Sequence, residues 1–242
     1  MIAYQQILFS EPSLVRMAQR AGDYQPLELA DQVLAGWQRV AEQADKCRNS
    51  TKTILSLFDE SGIWSAPYVK AGYDVIQLDL QNGVDISELT LEAMHEAAID
   101  EVHGILAACP CTHFANCGSQ WFEEKDRTGI TQEGIDLVHI TLEMINYYQP
   151  KFWAIENPMG RIRRMCGLPG ARLFFEPHHF GDPYTKKTQL FGYFNANLPT
   201  YNVFPSGGSW AHRLRGDVPE QKKLRSQTFE GFAYAFFIAN QI

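Results

Sequence analysis

The chain has 242 residues, of which 45% are hydrophobic and 20% charged, ordinary proportions for one globular unit with a sizeable core. No apolar run approaches the roughly 20 residues of a membrane helix, and the start Met1-Ile2-Ala3-Tyr4-Gln5 lacks the pattern of a secretory signal, so the expected location is the cytoplasm. The net charge of −7 speaks against a nucleic-acid binder, but 10 basic face 23 acidic side chains up to residue 160 and 11 face 5 beyond it, so the last third fits a phosphate-contacting face as well as a merely solvated one.

In chain order, residues 27–46 carry Leu27, Ala30, Leu34, Trp37 and Ala41 at helical spacing, an amphipathic helix ahead of everything else. An alternation follows. Ile54–Phe58 reads as a buried strand, 64–71 as a helix ending at Gly72, and Asp74–Leu78 as a second strand. Residues 88–98 read as a helix, Gly104–Ala108 as a third strand, 131–148 as a long helix and Phe152–Ile155 as a fourth strand. Beyond residue 170 the pattern is irregular, with strand-like pieces at Leu173–Phe175 and Gln189–Phe194 and a closing apolar helix over Phe229–Asn240. Such alternation predicts an α/β fold: a mostly parallel, Rossmann-like sheet with helices on both faces and ligands beyond the carboxyl ends of its strands.

Four segments after strands hold the candidate chemistry. Phe58-Asp59-Glu60-Ser61-Gly62 is either an ordinary strand–helix turn or a cofactor loop; two acids disfavour phosphate and suit a cationic or hydroxyl-bearing ligand. Asp79 and Asp85 are placed to accept from ribose hydroxyls and an adenine amino group, or to cap local turns. Cys109, Cys111 and Cys117 crowd together after the third strand. Pro110 fixes the backbone before Cys111, which is a nucleophile only as the thiolate. A structural cysteine loop is one alternative and a zinc site with His113 another, although the spacing lacks paired hooks and no metal is expected. Glu156 with Asn157 is a proton donor with its orienting partner, or a helix start with Asn157 as cap before Pro158.

Taken together, these segments resemble the DNA cytosine-C5 methyltransferase family. Pro110-Cys111 with Phe114 looks like its nucleophile loop, Glu156-Asn157 like its glutamate motif, and Phe58 to Gly62 like its first S-adenosylmethionine loop. Tyr184–Gly192 and Arg225–Ala233 are similar to segments of compact, phage-type members, and the match runs from about residue 53 to 240. The resemblance implies the class I methyltransferase fold, with a helical extension over 1–50 and a catalytic domain over 51–242. It implies S-adenosylmethionine as cofactor, held by Phe58, Asp59, Glu60, Ser61, Gly62, Asp79, Asp85 and Pro110. It implies cytosine-containing DNA as substrate, with restriction-modification or a phage as setting. The Cys111 thiolate would add to carbon 6 while Glu156 protonates N3, carbon 5 would take the methyl group, and loss of its proton would expel the sulfur, on a base flipped out of its stack. Arg161, Arg163 and Arg164, with Lys186 and Lys187, are the candidate nucleic-acid contacts.

The chain departs from the family pattern in its first loop, which keeps Gly62 but lacks a second glycine, and between Phe194 and Thr228, where only 33 residues stand. Target recognition near 195–227 is therefore expected to be relaxed, short or supplied by a protein partner. Two other functions stay open: a protein of this fold that binds S-adenosylmethionine or DNA without transfer, and a cytosine methyltransferase of RNA or free nucleotides.

Overall fold

The computed structural model describes residues 24–89, 94, 99, 101–209, 214 and 218–241. Six strands form one sheet: β1 (Thr53–Leu57), β2 (Asp74–Leu78), β3 (Gly104–Ala107), β4 (Phe152–Pro158), β5 (Leu173–Phe175) and β6 (Thr188–Tyr193), in the spatial order β2-β1-β3-β4-β6-β5. β1 pairs in parallel with β2 and β3, and β3 with β4, whereas β6 runs antiparallel to both β4 and β5. The direction of winding reverses between β1 and β3, which opens a crevice beyond their carboxyl ends. This is the Rossmann-like, mostly parallel sheet of the sequence reading, with one reversed strand.

The strands of the sheet interior feed two cores, because successive side chains point to opposite faces. Ile54, Leu106, Phe152, Ala154 and Leu190 face one core. There they meet the helices α1 (Ala30–Glu42), α3 (Ala66–Lys70) and α8 (Glu230–Asn240) through Ala41, Tyr68, Phe232, Phe236 and Phe237. Phe232 stacks on Phe175 at 4.2 Å between centroids and 9° between planes. Leu55, Leu57, Ile105, Ala107, Ile155 and Phe191 face the other core. That side is covered by α5 (Ile130–Tyr148), which buries Ile135, Val138, Met144 and Ile145, and by α6 (Ile162–Cys166). The short helices α2 (Lys46–Asn49) and α4 (Phe122–Arg127) lie outside the layers, and α7 (Pro219–Ser226) precedes α8.

Two expectations change. The helix predicted over 27–46 is interrupted: α1 ends at Glu42, and Asp45 starts α2 by accepting from the Arg48 amide at 3.1 Å. The fourth strand continues to Pro158, so Glu156 and Asn157 lie within β4 rather than after it. Their extended backbone is held by β6, with Glu156 opposite Leu190 and Asn157 opposite Gln189. That pairing needs Gly192, since a Cβ there would sit 2.1 Å from the Trp153 carbonyl oxygen. The helix expected over 88–98 falls mostly outside the described residues; within it, Met94 is helical and buried. Among the described residues no helix is long and apolar enough to cross a membrane.

Candidate active site

The crevice holds a cavity of about 340 Å³, within the range that takes a small-molecule ligand. Its walls come from four strand ends: Phe58, Asp59, Glu60 and Ser61 after β1, Asp79, Leu80, Gln81, Asp85 and Ile86 after β2, Ala108 to Thr112 after β3, and Glu156 and Pro158 of β4. Leu137 of α5, Lys186, and Ser226-Gln227-Thr228 between α7 and α8 complete it.

After β1 the chain turns sharply. Phe58 takes a positive φ of 59°, uncommon for a residue with a side chain, and its amide donates to the Leu78 carbonyl at 2.9 Å. The buried Asp59 carboxylate accepts from Ser56 Oγ at 3.0 Å, Ser61 Oγ at 3.2 Å, and Ser65 amide and Oγ at 3.3 and 3.2 Å. Gln77 Nε2 donates to the Asp59 carbonyl. Asp59 thus holds the loop in shape while also lining the cavity. Gly62 does not line the cavity; it takes φ +67° in the turn behind it. Asp79 Oδ1 accepts from the Gln81 amide at 2.8 Å, and burial raises its carboxyl pKa, countered in part by that amide. Asp85 Oδ1 accepts from Ser87 amide and Oγ at 2.9 and 2.7 Å, which lowers its pKa. Both acids cap short 3₁₀ turns, and both also line the cavity.

The three clustered cysteines part company. Cys109 is buried beside Thr141 Oγ1 at 3.9 Å, and burial pushes its thiol up to about 12. Cys117 is exposed, with Arg225 Nη2 at 3.7 Å from its sulfur. Cys109 and Cys111 both line the cavity, but of the two only Cys111 keeps some exposure, and Glu156, 45 positions after it in the chain, lines the same cavity. Among the described residues no three His, Cys, Asp or Glu side chains converge as a metal site would require. Burial raises the pKa of both Cys111 and Glu156. Asn157 faces away from the cavity: it is fully buried, and its Nδ2 donates to the Cys109 carbonyl at 2.9 Å. It therefore orients the loop before Cys111 rather than Glu156.

The basic residues also divide. Arg161 is committed inside the protein, contrary to the expected phosphate contact. Its guanidinium pairs twice with Asp126, at 2.6 and 2.7 Å, donates from Nε to the His113 carbonyl at 3.0 Å, and lies 3.7 Å over the Phe122 ring. Lys186 lines the cavity, its ammonium donating inward to the Arg225 carbonyl at 2.9 Å, so it too is no surface contact. Arg163 and Arg164 are exposed on α6 beside a concavity shared with Gly160, Gly167 and Leu168, and Lys187 is exposed next to β6. The sequence reading missed Leu80, Gln81, Ile86, Leu137 and the Ser226-Gln227-Thr228 wall. Leu80 gave a signal, an apolar residue directly after Asp79 that stays 64% exposed.

No protein-family model matches the chain. Over 193 residues, 68% of this chain and 86% of the other, it is 26% identical to a protein of Frog virus 3 (isolate Goorha) named "Probable DNA (cytosine-5)-methyltransferase". A solved structure described as a DNA modification methyltransferase encoded within a prophage (E. coli) aligns with 59% of this chain at 17% identity and a TM-score of 0.40. The chain spans 46% of that one, less than half its length. The viral relative carries the family name to which the sequence motifs pointed.

Proposed function

We propose that the protein methylates carbon 5 of cytosine in DNA, with S-adenosylmethionine as methyl donor and Cys111 as covalent nucleophile. One observation carries this reading: a cysteine and a glutamate from two neighbouring strands share a single cavity with the acids that follow β1 and β2. The cavity has two ends of different chemistry. At one end Glu60, Asp79 and Asp85 offer acceptors for hydroxyl and amino groups, while Phe58, Leu80 and Ile86 offer apolar surface to a flat ring. These residues fit a nucleoside-bearing cofactor, whose sulfonium supplies an electrophilic methyl group when bound. At the other end Cys111 and Glu156 face the reacting base.

The Cys111 thiolate adds to carbon 6, and the Glu156 carboxyl, whose pKa burial raises, donates a proton to N3, so the ring electrons move to carbon 5. After methylation the carbon-5 proton passes to solvent water, its bonding electrons form the 5,6 double bond and expel the sulfur as the Cys111 thiolate, and N3 returns its proton to Glu156, which restores the ring and the enzyme. Neither side chain reaches a stacked base, so the cytosine enters extruded or from a single strand. Arg163, Arg164 and Lys187, all exposed, are the candidates for phosphate contact. Residues 51–242 act as the catalytic unit, and α1 and α2 brace it. The short stretch near 195–227 leaves room for a protein partner in choosing the target.

The test is incubation with labelled S-adenosylmethionine and, separately, DNA, RNA and dCTP, followed by nucleoside mass analysis. 5-Methylcytosine in DNA is expected. Cys111→Ala should abolish it and Glu156→Gln should slow it by roughly 10²–10⁴-fold. Transfer to RNA or dCTP alone would change the substrate, and binding without transfer would refute the enzyme.

A further inference from the structure

Lys186 is oriented in an unusual way for a lysine. Its chain comes off the segment leading into β6 and points into the cavity rather than to solvent. The ammonium is tethered from behind, by the Arg225 carbonyl at 2.9 Å and by the Phe229 ring at 5.0 Å from its centroid. Both partners are uncharged groups, and among the described residues no carboxylate forms an ion pair with it. A carbonyl and an aromatic face hold a cation in place without neutralising it. The charge therefore acts on whatever else lines the cavity, and the ionisable groups at that end are Cys111 and Glu156.

We propose that Lys186 is a positioning residue that sets the nucleophilicity of Cys111, its tethered ammonium favouring the thiolate over the thiol. This deepens the methyltransferase reading and rests on it. The groups that bear on Cys111 are Lys186, which favours its ionised form, and Glu156 and Cys117, which oppose it when charged; burial opposes it most. Lys186 also draws Glu156 toward its ionised form against the larger effect of burial. With the ammonium gone, both groups become harder to ionise, which works against the nucleophile and not against the proton donor. The nucleophile alone is lost.

The test uses the full-length protein without ligand. Iodoacetamide alkylation of Cys111 is followed by peptide mass spectrometry against pH, because only the thiolate displaces iodide. Lys186→Gln removes the charge but keeps a donor for the Arg225 carbonyl; Lys186→Met removes both and serves as the second neutral variant; Lys186→Arg restores the charge. Exposed Cys47 is the internal control in every sample. In both neutral variants the Cys111 profile should move to higher pH, slowing alkylation near neutrality by roughly three- to tenfold. Cys47 should stay unchanged, and Lys186→Arg should return the profile toward wild type. An unchanged Cys111 profile in the folded neutral variants would overturn the proposal, as would equal slowing of Cys111 and Cys47. Because alkylation needs no methyl transfer, a shifted profile in a protein inactive on DNA would sink the functional reading and keep this one. Normal transfer with an unshifted profile would do the reverse.

Discussion

At the scale of single residues, identity and role separate most clearly in Asp59 and Arg161. Both were marked by the motifs in which they stand, and both are used by the protein itself. Asp59 lies next to three serines, at 56, 61 and 65, whose hydroxyls converge on one buried carboxylate. Arg161 lies 35 positions from the Asp126 that captures it, a distance along the chain that no local pattern reveals. The consequence for Asp126 can be measured. The Arg161 hydrogen bonds, and then the Thr131 hydroxyl, hold its carboxyl down at about 2. A carboxyl depressed in the folded state stabilises that state above its unfolded value of about 4, and the contribution is lost as pH falls toward 2. Asp126→Asn should lower the thermal midpoint at pH 7, with the gap to wild type narrowing below pH 4 and closing near pH 2. A gap that stayed constant over that range would show that the pair does not stabilise the fold.

At the scale of elements, the last turn of α7 is tied to two walls of the cavity, at Glu60 and Lys186, and to the exposed Cys117 outside it. Lys223 Nζ meets Glu60 Oε1 at 2.7 Å, Arg225 reaches Cys117, and the Arg225 carbonyl receives Lys186. Ser226 to Thr228, directly after these ties, form part of the cavity wall. The Lys223–Glu60 pair bridges the β1 loop and this wall beside the end proposed for the cofactor. It is largely exposed, so it contributes at most about 1 kcal/mol and weakens with salt. Lys223→Glu should weaken S-adenosylmethionine binding by roughly two- to fivefold at low salt by calorimetry, and the difference should shrink as salt is added. Equal affinities in wild type and Lys223→Glu at low salt would rule out this bridge as a support of the cavity. The sequence shows why the wall was hard to foresee. Arg225 and Thr228 were visible as part of a motif, but the ties of this segment cross more than 100 positions, from Arg225 to Cys117 and from Lys223 to Glu60.

At the scale of the whole molecule, the βαβ alternation up to residue 155 was enough to predict the parallel half of the sheet, since a strand followed by a helix returns alongside its predecessor. Runs such as Ile54–Leu57, apolar but for the buried Ser56, and Gly104–Ala107 matched strands covered on both faces. The reversed strand was beyond local reading: β6 follows β5 in the chain but inserts between β5 and β4, and that insertion extends β4 to carry Glu156. The sheet thereby brings two side chains from distant segments to one cavity, the arrangement on which the proposed chemistry depends. The most direct measurement replaces the target base with 5-fluorocytosine in DNA, supplied with S-adenosylmethionine. The fluorine cannot leave as a proton, so a base attacked at carbon 6 and methylated at carbon 5 remains bonded to the enzyme. A denaturant-stable protein–DNA adduct mapped to the Cys111 peptide, and absent from Cys111→Ala, is the predicted result. An adduct at another cysteine, or methylation of ordinary cytosine by Cys111→Ala, would contradict the account.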